Sequence, residues 1–474
     1  MDDQAHVPSL APGDVRHIAA IRFPDHDFSE NNLPSDQLEF HLNAISSSAT
    51  TTEEQALGRF TRRKLKKLAT WSQWEAGERQ QLDHFHDLQM YGKPCKPPAN
   101  AIILRSHWQY HIKRNGKRRS RNCCDGSPKA APVLHKIAST YSSCVDQPIQ
   151  RLFFALAAAS RYKVYGGDAT DAYAHSPPPE RPTFIALDDA YIDWYQHRFN
   201  ITLDRSLVLP VQHALQGHPK SGRLWEEHIN CILLGPHLQF TTTTHDRTIY
   251  TTNYNGHKVL LLRQVDDFAI ACSDESIAKS IYDYIGKQLQ LPTETTPPFQ
   301  YLGLMDDYNG IDVKQTATSI TLTCSSYISR LLTSHKWSTP SATPSTNPSP
   351  LPTDAINQIY THVGPDEGTP AHAALSAKHG FSYRGLLGKL LYAYITARPD
   401  IGYAVVTLSK FSTCPDDTHF LLLKHVAKYL RETIDWGIVF TKPRPDDTPP
   451  ASSNVPCTYD DTLSPFPKLL PLLN

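Results

Sequence analysis

The sequence predicts an α+β fold with a helical C-terminal part, and three observations predict it. KVLLLRQVDDFAIACS at 258–273 holds short runs rich in Val, Leu and Ile on either side of an acidic pair, which read as two β-strands around a turn. WSQWEAGERQQLDHFHDLQMYG at 71–92 and IQRLFFALAAASRY at 149–162 read as helices, the second almost wholly apolar and therefore buried. Beyond residue 379, SYRGLLGKLLYAYITA and PDIGYAVVTLSKFST form a helical pair with Pro399 suited to a first helical position, and DDTHFLLLKHVAKYLRETI adds a third helix. No repeat of fixed period is visible.

With 474 residues, 40% hydrophobic and 20% charged, the chain can bury a real core in roughly two to four domains. Nine cysteines, odd in number and scattered from Cys95 to Cys457, support neither a disulfide framework nor a CxxC zinc site. Twenty-three histidines include no HExxH pairing, so metal binding would have to rest on carboxylates. The polar, acidic start MDDQAHVPSLAPGD and the lack of any long apolar run argue against secretion and membrane insertion. Forty-seven basic residues cancel 47 acidic ones, so charge has to be read locally. The 37 prolines mark joints. Residues 1–55, ending in SSSATTTEEQ, read as a disordered leader; STPSATPSTNPSPLP at 338–352 reads as an extended tether within a linker over 335–378; and 441–474 reads as a disordered tail.

The chemistry starts at Asp266 and Asp267. Two adjacent carboxylates at the tip of a buried hairpin are costly unless a cation neutralises them, whereas in an exposed turn they are ordinary. YKVYGGDATDAYAHSPPPE supplies a partner: a β-like run passes through Gly166 and Gly167, whose small size allows close backbone approach, and delivers Asp168. Two-metal phosphoryl transfer needs carboxylates from separate segments around cations about 3.5–4 Å apart. Asp168 with Asp266 meets that minimum. Ser221 in GHPKSGR lacks the GxSxG setting of a nucleophile, and the same run lacks the GK[ST] ending of a phosphate loop. Two basic segments, RFTRRKLKK at 59–67 and RSHWQYHIKRNGKRRSR at 105–121, read either as solvated faces or as nucleic-acid patches; the second is hairpin-like at Asn115-Gly116.

Taken together, these motifs resemble in order and spacing the reverse transcriptase of copia-type retrotransposons, over about residues 66–440. VDDFAIA is similar to the family's acidic hairpin, with Gln264 where tyrosine is usual, and GGDATDAYAHS to its first acidic motif. HALQGHPKSGRLWEEHI is similar to the segment lying against nucleotide and template, through Gln216, Gly217, Ser221, Arg223 and Trp225, although the Trp225 side chain itself reads as core packing; YLGLMDD, SSYISRLL and the helical stretch of 382–440 follow in place.

The resemblance implies a right-hand polymerase, with fingers and palm over 66–334 and a helical thumb or connection-like part over 379–440. It implies Asp168, Asp266 and Asp267 as catalytic ligands of two Mg²⁺ (or Mn²⁺) ions, Tyr173 as the gate beneath the incoming sugar, Arg121 packed on the nucleotide, and Lys113, Lys117 and Arg119 as phosphate contacts. It further implies a primed RNA or DNA template and dNTPs as partners, no membrane, and Gag, integrase or ribonuclease H supplied by another chain. The expected location is the cytoplasm, in a virus-like particle, or the nucleus. Only 34 residues, eight of them proline, follow Phe440, too few for a ribonuclease H domain, so an active chain is expected to copy RNA without degrading it. A remnant that keeps the fold without the chemistry is the competing reading.

Overall fold

The computed structural model describes residue 54 and residues 60–112, 117–137, 140–243, 246–295, 297–339 and 349–444. The expected leader up to residue 53, residues 340–348 of the expected tether, the expected tail from residue 445 and Lys113 lie outside the described residues. The chain divides into two compact units, one of residues up to Gly77 with Trp108–Arg121, the other of Glu78–His107 with Asn122 onward.

In the smaller unit, Leu65, Trp74, Tyr110 and Ile112 form the core, with Phe60, Leu68, Trp71 and Trp108 packed around them. Of the hairpin expected around Asn115-Gly116, the strands Ser106–Ile112 and Arg118–Cys124 are present and paired, residues 108–112 and 118–121 of them in this unit, while the turn itself, residues 113–116, lies outside the described residues. It is pinned from within. Glu54, fully buried, accepts hydrogen bonds from Arg118 Nε at 2.7 Å and Nη2 at 2.8 Å, from Trp74 Nε1 at 3.0 Å and from Thr70 Oγ1 at 2.9 Å. A buried carboxylate is tolerable only with partners of this kind. The expected leader of 1–55 therefore includes at least one structural residue.

The larger unit is organised on a six-stranded antiparallel sheet, in the order Phe299–Leu304, Lys163–Ala169, Asp267–Cys272, His257–Gln264, Ile249–Tyr254, Thr241–Thr242. Side chains alternate along the Asp267–Cys272 strand, which is why both sheet faces are buried. Phe268, Ile270 and Cys272 join one core with the helices Ser221–Leu233 and Glu275–Leu289, while Ala269 and Ala271 join another with the helix Gln147–Ala159. That second core also takes in a four-stranded sheet in which Gly437–Thr441 pairs with Ser319–Thr323. A three-stranded sheet of Ile102–Leu104, Thr183–Ala186 and Val208–Pro210 has its own core around Leu104, Ile185 and Leu209.

The expected boundaries change toward the C-terminus. Residues 335–378 are not a bare linker: Ala355–Ile359 and Pro370–His379 are helical, and Ala355 and Ile359, one helical turn apart, are fully buried. The helix Ser325–Ser334 packs through Ile328, Leu331 and Leu332 with Leu390, Val405 and Val426, so a division after residue 334 cuts through one core. The stretch of 379–440 is helical only as far as Glu432 before its β-branched end joins the four-stranded sheet. No helix among the described residues is long and apolar enough to cross a membrane.

Candidate active site

Asp168 lies near the end of the Lys163–Ala169 strand, which runs second in the sheet between Phe299–Leu304 and Asp267–Cys272. A Cβ at Gly167 would fall 2.6–2.8 Å from the rings of Phe299 and Tyr282, which stack with centroids 5.1 Å apart. Close approach at Gly167 is thus made to aromatic rings, while at Gly166 the nearest contact is an ordinary 3.4 Å.

The acidic hairpin forms as expected. Gln264 pairs with Asp267, leaving Val265 and Asp266 as a two-residue turn. Asp267 is the Cα partner of Asp168, and the Ala169 N–H donates to the Asp266 carbonyl at 2.9 Å. Ala169 and Asp266 therefore occupy a hydrogen-bonded position, and Asp168 and Asp267 the adjoining non-bonded one, where Cα atoms approach to about 4.5 Å with side chains on one face. Val265 adopts φ +54°, a left-handed conformation costing a β-branched residue about 1–2 kcal/mol. Its carbonyl accepts the Trp225 indole N–H at 2.7 Å, and Gln264 Oε1 accepts the Val145 N–H at 2.7 Å.

Burial raises the Asp168 carboxyl above its ordinary range, and Asp266 and Asp171 push it further. Asp267 is pushed up to about 6 by burial first, then by Asp266, Asp168 and Asp307. Among the described residues, the groups that shift these two carboxyls are other acids and, for Asp168, a hydrogen bond from Thr170. An all-carboxylate donor set under like-charge repulsion suits a hard divalent cation. Among the described residues, no three His, Cys, Asp or Glu side chains converge as a metal-holding group.

Tyr173 stands on a 3₁₀ turn, Ala172–His175, and packs half-buried on the sheet core. Burial raises its phenol, with Asp266 and Cys144 adding to the effect, so the ring lies within the field of the acidic turn. Both ends of this turn are tied. Asp171, at φ +50°, meets His84 Nε2 at 2.6 Å, and His175 Nε2 meets Glu294 at 3.0 Å. Sequence reasoning passed over Asp171 and Asp307, although the second acid in GGDATDAYAHS and the pair in YLGLMDD were available signals.

Gln216 and Gly217 form the turn before the Ser221–Leu233 helix. The Gln216 carbonyl accepts the Cys124 N–H at 2.8 Å, and Gly217, at φ +91°, has no room for a side chain because a Cβ would lie 2.1 Å from the Cys124 carbonyl oxygen. One member of the segment expected to lie against nucleotide and template faces inward instead: Ser221 is buried and its Oγ donates to the Leu215 carbonyl at 2.6 Å. Trp225, 1% exposed on the apolar stripe of its helix, is the core residue it was expected to be. Arg223 is partly exposed and pairs with Glu227 at 2.6 Å. Lys117, Arg119 and Arg121 belong to the smaller unit, while the three acids, Tyr173, Gln216 and Gly217 belong to the larger.

A family profile described as reverse transcriptase (RNA-dependent DNA polymerase) matches residues 94–348. The retrovirus-related Pol polyprotein from transposon RE1 of Arabidopsis thaliana is 23% identical over 352 residues, 73% of this chain and 21% of that protein. The corresponding polyprotein from transposon TNT 1-94 of Nicotiana tabacum is 21% identical over 342 residues, 71% of this chain and 24% of that protein. The chain thus spans about a fifth to a quarter of the length of these two polyproteins. A solved structure of telomerase from Candida albicans with a fragment of telomeric RNA is similar at 11% identity and a TM-score of 0.32, covering 77% of this chain and 64% of that one, too distant to align individual site residues.

Proposed function

This chain belongs to the reverse transcriptase (RNA-dependent DNA polymerase) family, in the group of copia-type retrotransposon Pol polyproteins, and we propose that it extends a primer 3′ hydroxyl with dNTPs on an RNA or DNA template. The observation that carries this reading is the sheet register that makes Asp168 and Asp267 Cα partners and sets Asp266 in the turn beside them. In this reading the six-stranded sheet is the palm, the three-stranded sheet and the basic hairpin belong to the fingers, and the helices from Tyr383 onward serve as thumb or connection.

Asp168 and Asp266 would be the principal holders of a pair of Mg²⁺ ions, with Asp267 in support; when bound, the cations would supply charge stabilisation for an in-line displacement. Asp267, pushed up to about 6, gives up its proton near neutral pH, so cation and proton compete for it. Tyr173 lies under the incoming sugar, where a 2′ hydroxyl would collide with its ring. Gln216 and Gly217 present the turn that faces base and sugar. Lys117, Arg119 and Arg121 neutralise phosphates, and the template is held by backbone, groove shape and stacking, as copying any sequence requires.

The test is primer extension by the purified full chain on primed RNA and DNA templates with Mg²⁺ or Mn²⁺. The wild type is expected to extend both. Asp266→Asn is expected to stop extension while template binding by filter retention stays within about twofold, because that binding rests on the basic residues. A second reading is a remnant that keeps the fold and nucleic-acid binding without polymerising. It predicts binding without extension in wild type and variant alike.

A further inference from the structure

Asp266 is held by its backbone on both sides. Its own carbonyl, in the peptide joining it to Asp267, accepts the Ala169 N–H at 2.9 Å. The peptide joining Val265 to Asp266 is fixed by the Trp225 indole N–H, 2.7 Å from the Val265 carbonyl. Because each peptide is planar, two hydrogen bonds set the orientation of both planes flanking Asp266, leaving side-chain rotation as the main freedom of its carboxylate.

The second bond selects between two turns that both keep Val265 at positive φ. Val265, at φ +54°, is the only β-branched residue with positive φ among the described residues. Turning the Val265–Asp266 peptide over converts one two-residue hairpin turn into the other and swings the acid that follows. Trp225 is presented from a fixed support. Glu226, next to it, accepts the Ser143 N–H at 2.8 Å and lies 3.5 Å from Arg263 Nη2, two residues before Val265. Asn230, on the same helix, accepts the Tyr250 hydroxyl at 2.7 Å. With Trp225 1% exposed, water has little access to compete for the indole N–H.

We propose that Trp225 is a positioning residue for polymerisation: its indole N–H locks the strained Val265 carbonyl and thereby aims Asp266. This rests on the polymerase reading above for its catalytic consequence, but the lock itself can be tested without activity. Trp225→Phe keeps an aromatic ring and removes the donor. Amide hydrogen exchange across residues 264–268 is expected to speed up about tenfold, with exchange in the Ser221–Leu233 helix unchanged. In steady-state extension kcat is expected to fall about 10–100-fold while KM for dNTP stays within about twofold, as for a misaimed rather than an unbound reactant. Mn²⁺ binding, followed by electron paramagnetic resonance, is expected to weaken.

Val265→Gly supplies the control, because glycine takes positive φ without strain. The effects of Trp225→Phe should shrink in the Val265→Gly background. Unchanged exchange at 264–268 in Trp225→Phe overturns the lock, whatever the activity. Faster exchange throughout the helix assigns Trp225 to core packing and overturns it too. Faster exchange in the turn with unchanged kcat overturns the catalytic consequence. If Trp225→Phe does not fold, folding restored by adding Val265→Gly supports the lock, and failure to restore it assigns the indole to packing. If the wild type extends no primer, the polymerase reading fails, and exchange and Mn²⁺ binding alone decide the lock.

Discussion

At the scale of single residues, charge decides how the acidic site behaves. Asp267 has its carboxyl raised from 3.8 to about 6 by burial and neighbouring acids, so folding disfavours its ionised form. Its stabilising contribution is therefore complete below about pH 4 and is lost as pH rises through about 6. Thermal melts in EDTA should show Asp267→Asn gaining stability on the wild type between pH 4 and 7, and Mg²⁺ should close that gap above pH 6 but not at pH 4. A constant difference across the range would mean that the acids do not repel in solution. Tyr173 gives a separate test: Tyr173→Val should admit ribonucleotides more readily with modest loss of dNTP use, and unchanged discrimination would leave the ring as core only. The acids and Tyr173 could be picked out because their residue types and local motifs are unusual. Trp225's bond to Val265 could not, since an indole on an apolar helix face reads as packing and its partner is a backbone carbonyl forty residues away.

At the scale of elements, the hairpin of the smaller unit depends on one buried ion pair. Glu54 is fully buried and the Arg118 side chain is 8% exposed, so Glu54→Ala leaves a guanidinium without its counter-charge. That change should cost about 3–5 kcal/mol of local stability, read as lost hydrogen-exchange protection and faster tryptic cleavage in residues 117–121. Equal protection in variant and wild type would show that the pair is not what holds the hairpin. The hairpin itself was legible from Asn115-Gly116, but its anchor was not. SSSATTTEEQ has a disordered composition, and nothing local marks a carboxylate whose partner lies sixty-four residues on. The helix Ala355–Ile359 was missed for a related reason: its apolar face is one turn long and sits beside a proline- and serine-rich run, so only docking against the C-terminal helices reveals it.

At the scale of the whole chain, the larger unit is interlaced in sequence. Ile328, Leu331 and Leu332 share a core with Leu390, Val405 and Val426, and Gly437–Thr441 completes a sheet begun by Asp307–Tyr308. A protease site placed between Thr339 and Ser349 and then cut should leave two fragments that co-elute, held by that core; separation without denaturant would show that the tether and not the core joins them. The α+β class and the acidic hairpin were legible because local periodicity sets them. The domain borders were not, because they depend on which distant apolar faces meet. The central claim concerns chemistry, that Asp168 and Asp266, brought together by the sheet, support templated DNA synthesis. Its most direct measurement is extension of a DNA primer on an RNA template by wild type, Asp168→Asn and Asp266→Asn, with Mg²⁺ and all four dNTPs. The account predicts extension by the wild type alone, with all three proteins retaining the template. Extension surviving in either variant, or absent from a wild type that binds template and melts cooperatively, would contradict it.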